Sequence, residues 1–323
     1  MAKVLVAGPI HEAGEAMLDA RADVETEILY EPSVADLEAR IEDIDAIVLR
    51  LTPIRADLVA RAKRLKVVAR YGVGYDAVDV DALTRHGIPL AVVGEANSVA
   101  VAEHALGLML ALIREIPAQD RLIREGQFAK RDEFLQTELW RKAVLVAGYG
   151  RIGSRVAHRC AAFEMDVIVA DPYADAEEVT SKGYRHLTDF REALGDADFV
   201  TLHMPANPEG TPLFGQAEIE RMKSDAVLIN VSRGSLIDED ALFDALSSGR
   251  IRCAGLDVLR QEPPPADCPL LTLDNVILTP HSASLTEESA RRMSIESVQN
   301  ALDAIDGCLR PGYVINREVL GAD

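Results

Sequence analysis

Long apolar runs are missing from this 323-residue chain. Its apolar stretches are strand-length and mostly broken by charge, so none predicts a transmembrane helix, which needs about 20 apolar residues. A secretory signal is not expected either. "MAKVLVAGPIHEAG" passes from a short apolar run into Gly-Pro and acids, without a long apolar core or a small-residue cleavage site. Cations are scarce: 34 Lys and Arg stand against 53 Asp and Glu, a formal charge of −19. That balance argues against nucleic acid or an anionic membrane as partner, because both need clustered cations. Cysteine is sparse as well. Cys160, Cys253, Cys268 and Cys308 are far apart, with neither zinc nor disulfide spacing, so a reducing cytoplasm and no metal site are expected. No repeat or low-complexity tract stands out.

What remains is ordinary globular material, 48% apolar and 27% charged, long enough for two domains. "KVLVA" (Lys3–Ala7), "VETEIL" (Val24–Leu29), "DAIVLR" (Asp45–Arg50) and "KVVAR" (Lys66–Arg70) read as short strands. Between them, segments such as "PSVADLEARIED" put Val34, Leu37 and Ile41 on one helical face. The stretch 97–127 predicts one long helix, buried nearly all round in its first half and kinked at Pro117. A second alternating series follows: "AVLVAG", "DVIVAD", "DFVTLH", "AVLINVSRG", "CAGLDVL" and "NVILTPH". The tail after Ser284 returns to helix. Strand–helix alternation predicts α/β architecture with parallel sheets covered on both faces.

"AVLVAGYGRIGSRVAHRC" places Gly148, Gly150 and Gly153 between a strand and a helix. The first glycine suits a tight turn, the second lets backbone approach a pyrophosphate, and the third lets helix and strand pack closely. The helix N-terminus then offers free N–H groups to phosphate. The next strand ends in Asp171, where a carboxylate can accept hydrogen bonds from an adenine ribose and would repel a 2′-phosphate. These residues predict a doubly wound dinucleotide-binding domain that takes NAD rather than NADP.

Ligands of such sheets sit outside the carboxyl ends of the strands. There the later strands deliver His203 and Pro205, Ser232 and Arg233, Asp257 followed by Glu262, and His281. Arginine suits a carboxylate through two parallel N–H bonds. An imidazole exchanges a proton near neutral pH, and a neighbouring carboxylate orients the ring and favours its charged form. With a nicotinamide to move hydride, these are the parts for interconverting a 2-hydroxy acid and a 2-oxo acid. His203 reads better as a wall of the cofactor pocket than as a catalyst. His11, His86, His104, His158 and His186 have no comparable context and read as structural or solvated.

Taken together, the motifs resemble the D-isomer-specific 2-hydroxyacid dehydrogenase family, particularly its phosphoglycerate dehydrogenase-like branch, over nearly the whole chain. "VARYGVGYDAVDVDAL" resembles the family's substrate loop, "NSVAVAEHALGLMLAL" its interdomain helix, and "VAGYGRIG" with "VADPY" its cofactor motif. "INVSRGSLIDEDAL", "GLDVLRQEPPP" and "ILTPHSAS" resemble its three catalytic segments, a specific combination. The resemblance puts the catalytic arginine, glutamate and histidine on Arg233, Glu262 and His281. It puts the acid that meets the nicotinamide carboxamide on Asp257, with further cofactor contacts at Arg151, Ile152, His203, Pro205, Ser232 and Ser284. Backbone N–H groups for the substrate carboxylate fall on Tyr71, Gly72, Val73 and Gly74. Arg50 and Arg70 match arginines that lie near the substrate phosphate in the phosphoglycerate enzymes. The resemblance also implies a flavodoxin-like substrate domain built from 1–97 and 286–323, an NAD-binding Rossmann domain from 98–285, and a homodimer.

Departures from the family pattern matter. Ala283 stands where glycine is usual, which would crowd the nicotinamide slightly. Tyr71 and Tyr75 are bulkier than the phosphoglycerate enzymes' loop residues, so phosphate recognition is mixed. Since the sequence runs only a little past its last helix, the regulatory domain of longer relatives is not expected. Two other readings compete. Formate dehydrogenases share the fold but pair their histidine with glutamine, which Glu262 opposes. NADH-binding corepressor scaffolds keep similar motifs, and the lack of long disordered flanks argues against one.

Overall fold

Val4, Leu5, Val6 and Ala7 are each at most 1% exposed, as in a strand covered on both faces. In the computed structural model, which describes residues 1–207 and 209–321, they lie in β1 (Ala2–Ala7). β2 (Val24–Leu29), β3 (Ala46–Leu49), β4 (Val67–Arg70) and β5 (Leu90–Ala91) join it in a parallel sheet of order β2-β1-β3-β4-β5. Successive side chains take opposite faces. Leu5, Ile47 and Leu49 enter one cluster with Leu37 and Leu83, whereas Val4, Val6 and Val48 enter another with Val298 and Leu302. These last two come from the helix Glu287–Ile305, capped by Thr286, whose side chain accepts from Ser289 N. That helix also packs on the helix Glu12–Asp19. A Cβ on Gly14 would sit 2.2 Å from Ser294 Oγ, so the close approach requires glycine.

The chain divides into two compact units, Met1–Asn97 with Leu285–Asp323, and Ser98–Ser284. The second holds β6 (Ala143–Ala147), β7 (Asp166–Ala170), β8 (Arg185–Leu187), β9 (Phe199–Leu202), β10 (Val227–Asn230), β11 (Cys253–Leu256) and β12 (Val276–Leu278). Their order is β12-β11-β10-β9-β6-β7-β8, and every pairing is parallel. The winding reverses between β6 and β9, the topological switch point of a doubly wound sheet. Val144, Val146 and Val169 pack on one face against the helices Ser98–Ile113 and Gly153–Ala162. Leu145, Ala147 and Leu202 fill the other.

Three local expectations give way. β5 and β8 were not foreseen: one has only two residues, and the other, Arg-His-Leu, is a polar edge strand. The long helix is two helices, Ser98–Ile113 and Ile116–Arg124, separated by a break rather than a kink. Glu115 turns left-handed there (φ +50°), and Pro117 falls in the first turn of the second helix, where its missing N–H costs nothing. The Ile113 carbonyl that Pro117 cannot serve accepts instead from Thr137 N at 3.1 Å. The first helix is also not buried all round: Val99, Glu103 and Gly107, four residues apart, form an exposed stripe. Among the described residues, no helix is long and apolar enough to cross a membrane.

Candidate active site

The glycine turn follows β6 beside the switch point. A Cβ on Gly148 (φ +96°) would lie 2.5 Å from the His203 carbonyl oxygen, and one on Gly153 would lie 1.9 Å from that of Gly148. Both glycines therefore serve the chain's own packing. Gly150 differs, since a Cβ there meets nothing within 4 Å. The open space lies where backbone must approach a pyrophosphate, so the turn fits a dinucleotide. Ile152 immediately precedes the helix Gly153–Ala162, and Arg151 is exposed beside it. Asp171, just past β7, accepts from Tyr149 N at 2.7 Å and Tyr173 N at 2.8 Å. Its carboxylate is fixed at the turn, where it fits an adenine ribose.

Because all seven strands are parallel, the residues that follow β9, β10, β11 and β12 come to the same sheet edge as the glycine turn. His203 follows β9. Its Nε2 is 2.8 Å from Thr201 Oγ1, while Nδ1 is buried without a partner. Burial pushes the imidazole down to about 3, so it is neutral at physiological pH and does not serve as an acid. Pro205 is exposed two residues on. Ser232 follows β10, and its Oγ donates to the Leu202 carbonyl at 2.6 Å. Next comes Arg233, half-buried, with one guanidinium nitrogen on the Ser232 carbonyl at 2.7 Å.

Asp257 follows β11 and is 1% exposed. Its carboxylate accepts from Thr279 Oγ1 at 2.6 Å, Ser282 N at 2.8 Å and Ala283 N at 3.0 Å. It thus anchors the turn after β12, in addition to any contact with a cofactor. His281 sits in that turn with φ +49°. Left-handed backbone costs a non-glycine residue roughly 1–2 kcal/mol and persists only where its surroundings enforce it. Here the His281 N–H donates to the carbonyls of Asp257 and Thr279 at 2.8 and 2.9 Å. The imidazole Nδ1 is 2.7 Å from Glu262 Oε2, and Glu262 Oε1 accepts from Leu259 N at 3.0 Å. The pair is 51% and 38% exposed, so it contributes about 1 kcal/mol or less to folding. Stability does not explain a strained turn carrying a half-exposed ion pair. Ser284, half-buried, closes the segment. Ala283 is 4% exposed and packs into the core.

The substrate candidates belong to the first unit and cluster at the carboxyl edge of its own sheet. Arg50 follows β3 and Arg70 ends β4, the neighbouring parallel strand. The Arg50 guanidinium lies 5.3 Å from the Tyr71 ring centroid and donates to the Pro9 carbonyl. One Arg70 nitrogen donates to the carbonyls of Leu49 and Tyr71. Tyr71 is 7% exposed and donates its hydroxyl proton to the Ala290 carbonyl, so its bulk fills core rather than the loop. Gly72 takes φ +149°, and the N–H groups of Val73 and Gly74 make no backbone hydrogen bond among the described residues. One residue escaped the sequence reading. His104, on the helix Ser98–Ile113, places Nε2 3.0 Å from Thr279 Oγ1. Only folding brings these two together, across 175 residues.

A doubly wound parallel sheet with a glycine turn beside its switch point and an acid after the neighbouring strand defines a dinucleotide-binding protein. Residues 106–283 match the family described as "D-isomer specific 2-hydroxyacid dehydrogenase, NAD binding domain". D-3-phosphoglycerate dehydrogenase of Methanocaldococcus jannaschii is 42% identical over 292 residues, covering 90% of this chain and 55% of that protein. Two solved structures share 28% and 29% identity, both with TM-score 0.88. One is D-lactate dehydrogenase of Aquifex aeolicus complexed with NAD and lactic acid, aligned over 99% of this chain and 100% of the other. The second is a glyoxylate reductase of Paecilomyes thermophila, aligned over 98% and 99%. The chain belongs to the D-isomer specific 2-hydroxyacid dehydrogenase family, in its phosphoglycerate dehydrogenase-like branch, and its cofactor is NAD(H). It spans about half the length of the curated relatives it matches.

Proposed function

We propose that the protein is an NAD-dependent oxidoreductase interconverting a small D-2-hydroxy acid and its 2-oxo acid. The 2.7 Å pairing of His281 with Glu262, on the sheet edge that also carries the glycine turn and Arg233, is the observation that supports this most. When bound, NADH supplies the hydride for reduction at the carbonyl carbon. His281 gives the carbonyl oxygen its proton through Nε2, since Nδ1 is held by Glu262. Arg233 grips the substrate carboxylate. It follows β10, two strand spacings from β12, or about 10 Å. Gly148 and Gly153 shape the turn on which Gly150, with Arg151 and Ile152, would meet the pyrophosphate, and Asp171 would hold the ribose. Asp257, His203, Pro205, Ser232 and Ser284 surround the nicotinamide side.

Arg50 and Arg70 favour a substrate with a second anionic group, and 3-phosphohydroxypyruvate is the form in which the relatives' name would carry over. The test is NADH oxidation followed by absorbance with glyoxylate, hydroxypyruvate, pyruvate and 3-phosphohydroxypyruvate. A folded, NADH-binding protein silent on all four overturns the proposal. The partner we infer is a second copy of the chain. In the second unit the large apolar side chains of Val99, Ile116, Ile123, Phe128 and Trp140 are all more than a third exposed, and a second copy would cover such side chains. Sedimentation at monomer mass would remove that inference.

A further inference from the structure

His104 contributes to no motif-derived role, yet it stands at the end of a chain of hydrogen bonds that reaches His281. Its Nε2 is 3.0 Å from Thr279 Oγ1, which is 2.6 Å from Asp257 Oδ1. A hydroxyl has one proton, and the shorter, charge-assisted contact with the carboxylate takes it. The imidazole must then donate through Nε2–H to the hydroxyl oxygen. Nε2 is also 3.6 Å from Asp257 Oδ1, so the ring borders one side of that carboxylate. Ser282 N donates to that same oxygen at 2.8 Å, and Ala283 N to Oδ2 at 3.0 Å.

Asp257 is therefore a hub. Its carboxylate holds the two residues after His281, and its carbonyl accepts from His281 N at 2.8 Å. Without the His104 donor the Thr279 hydroxyl is no longer fixed in the orientation that serves Asp257, and a buried carboxylate that loses a donor must find another or move. At 1% exposure, water offers Asp257 little help. The groups that would follow it are the N–H donors of the His281 turn, whose left-handed backbone exists only because neighbours enforce it.

We infer that His104 is a positioning residue: through Thr279 and Asp257 it fixes the turn that presents the His281 imidazole to Glu262. The inference rests on the reading of His281 as the proton-transfer group. Among the described residues no hydrogen bond joins His104 to Glu262 or His281, so it acts through the turn. Removing it should lower kcat and leave cofactor affinity unchanged.

The experiment compares His104→Ala, His104→Gln, Thr279→Val and the pair His104→Ala/Thr279→Val with the intact protein. NADH affinity is read by fluorescence, and kcat and KM with the best of the four 2-oxo acids. Glutamine can put an amide N–H where the imidazole Nε2–H stands, so it should restore most of the rate. His104→Ala and Thr279→Val should each lower kcat about tenfold, and the double variant no further, because both cut one chain. NADH affinity should stay within about twofold throughout. Unchanged kcat in His104→Ala, glutamine no better than alanine, multiplying losses, or NADH affinity falling in step with kcat would each overturn the inference. Thr279→Val, nearly isosteric, keeps the test open should His104→Ala not fold. His281→Asn runs alongside. If it keeps full turnover, the underlying reading fails; if it is inactive while His104→Ala is unimpaired, only the positioning role fails.

Discussion

Glu262 Oε2 and His281 Nδ1 are 2.7 Å apart, and Nε2 of the same ring has no hydrogen-bond partner among the described residues. One nitrogen is held and the other is available, which is the arrangement a proton donor requires. The same histidine sits in left-handed backbone that glycine would adopt without strain. A residue kept against its own conformational preference points to function over stability.

His281→Gly should therefore lose activity without losing stability. Relief of the left-handed strain offsets the weak, exposed ion pair, so the melting temperature should hold or rise slightly. Turnover should fall by roughly 10²- to 10⁴-fold, the range of general acid–base catalysis. A clearly lowered melting temperature would mark the histidine as structural. Glu262→Gln should retain the fold and fall between the two in rate.

The three glycines should separate by variant. Gly150→Ala has open space for its methyl group, so stability should change by no more than about 0.5 kcal/mol, while NADH affinity drops at least about tenfold. Gly153→Ala would drive a methyl group against the Gly148 carbonyl and should destabilise the second unit outright. Equal NADH affinity in Gly150→Ala and the parent would remove the turn from the cofactor site. Calorimetry beside fluorescence titration distinguishes the two effects.

Arg50 and Arg70 should discriminate between substrates. If they meet a second anionic group, Arg70→Gln or Arg50→Gln raises KM for 3-phosphohydroxypyruvate about 10- to 100-fold and barely alters pyruvate. Equal effects on both substrates would assign the arginines to the loop's structure. Steady-state kinetics on the two acids is sufficient.

His203 should shape stability in acid. Burial holds its folded-state value near 3 against an ordinary 6.5, so below pH 6.5 the unfolded chain takes up a proton that the folded one refuses. Its contribution is complete above pH 6.5 and is lost progressively as pH falls toward 3. Urea midpoints should fall less steeply over that window in His203→Gln than in the parent. Parallel curves would show that the imidazole is hydrated in the folded protein.

The strands were legible because a buried parallel strand must be apolar on both faces, and "AVLVA" or "VLIN" can hardly be anything else. The glycine turn was legible because each glycine answers a steric demand at fixed spacing. β8 stayed hidden because an edge strand of Arg-His-Leu carries no such demand. The break at Glu115 stayed hidden because proline in the first turn of a helix and proline within one look alike until Thr137 is seen capping Ile113. Arg233, Glu262 and His281 could be nominated from strand-end position and resemblance. The pairing of Glu262 with His281 was legible in the same way, but that Ala283 turns into the core was not.

What the sequence determined by itself is the alternation of elements and the chemistry at the strand ends, since periodicity and residue type are local properties. What only the tertiary structure decided is how those groups are held. The left-handed turn at His281, the burial of Asp257 and the reach of His104 to Thr279 depend on contacts between residues far apart in the chain. A hydrogen bond is set by angles and distances of a few tenths of an ångström, and such geometry exists only once the sheet has brought its strands together.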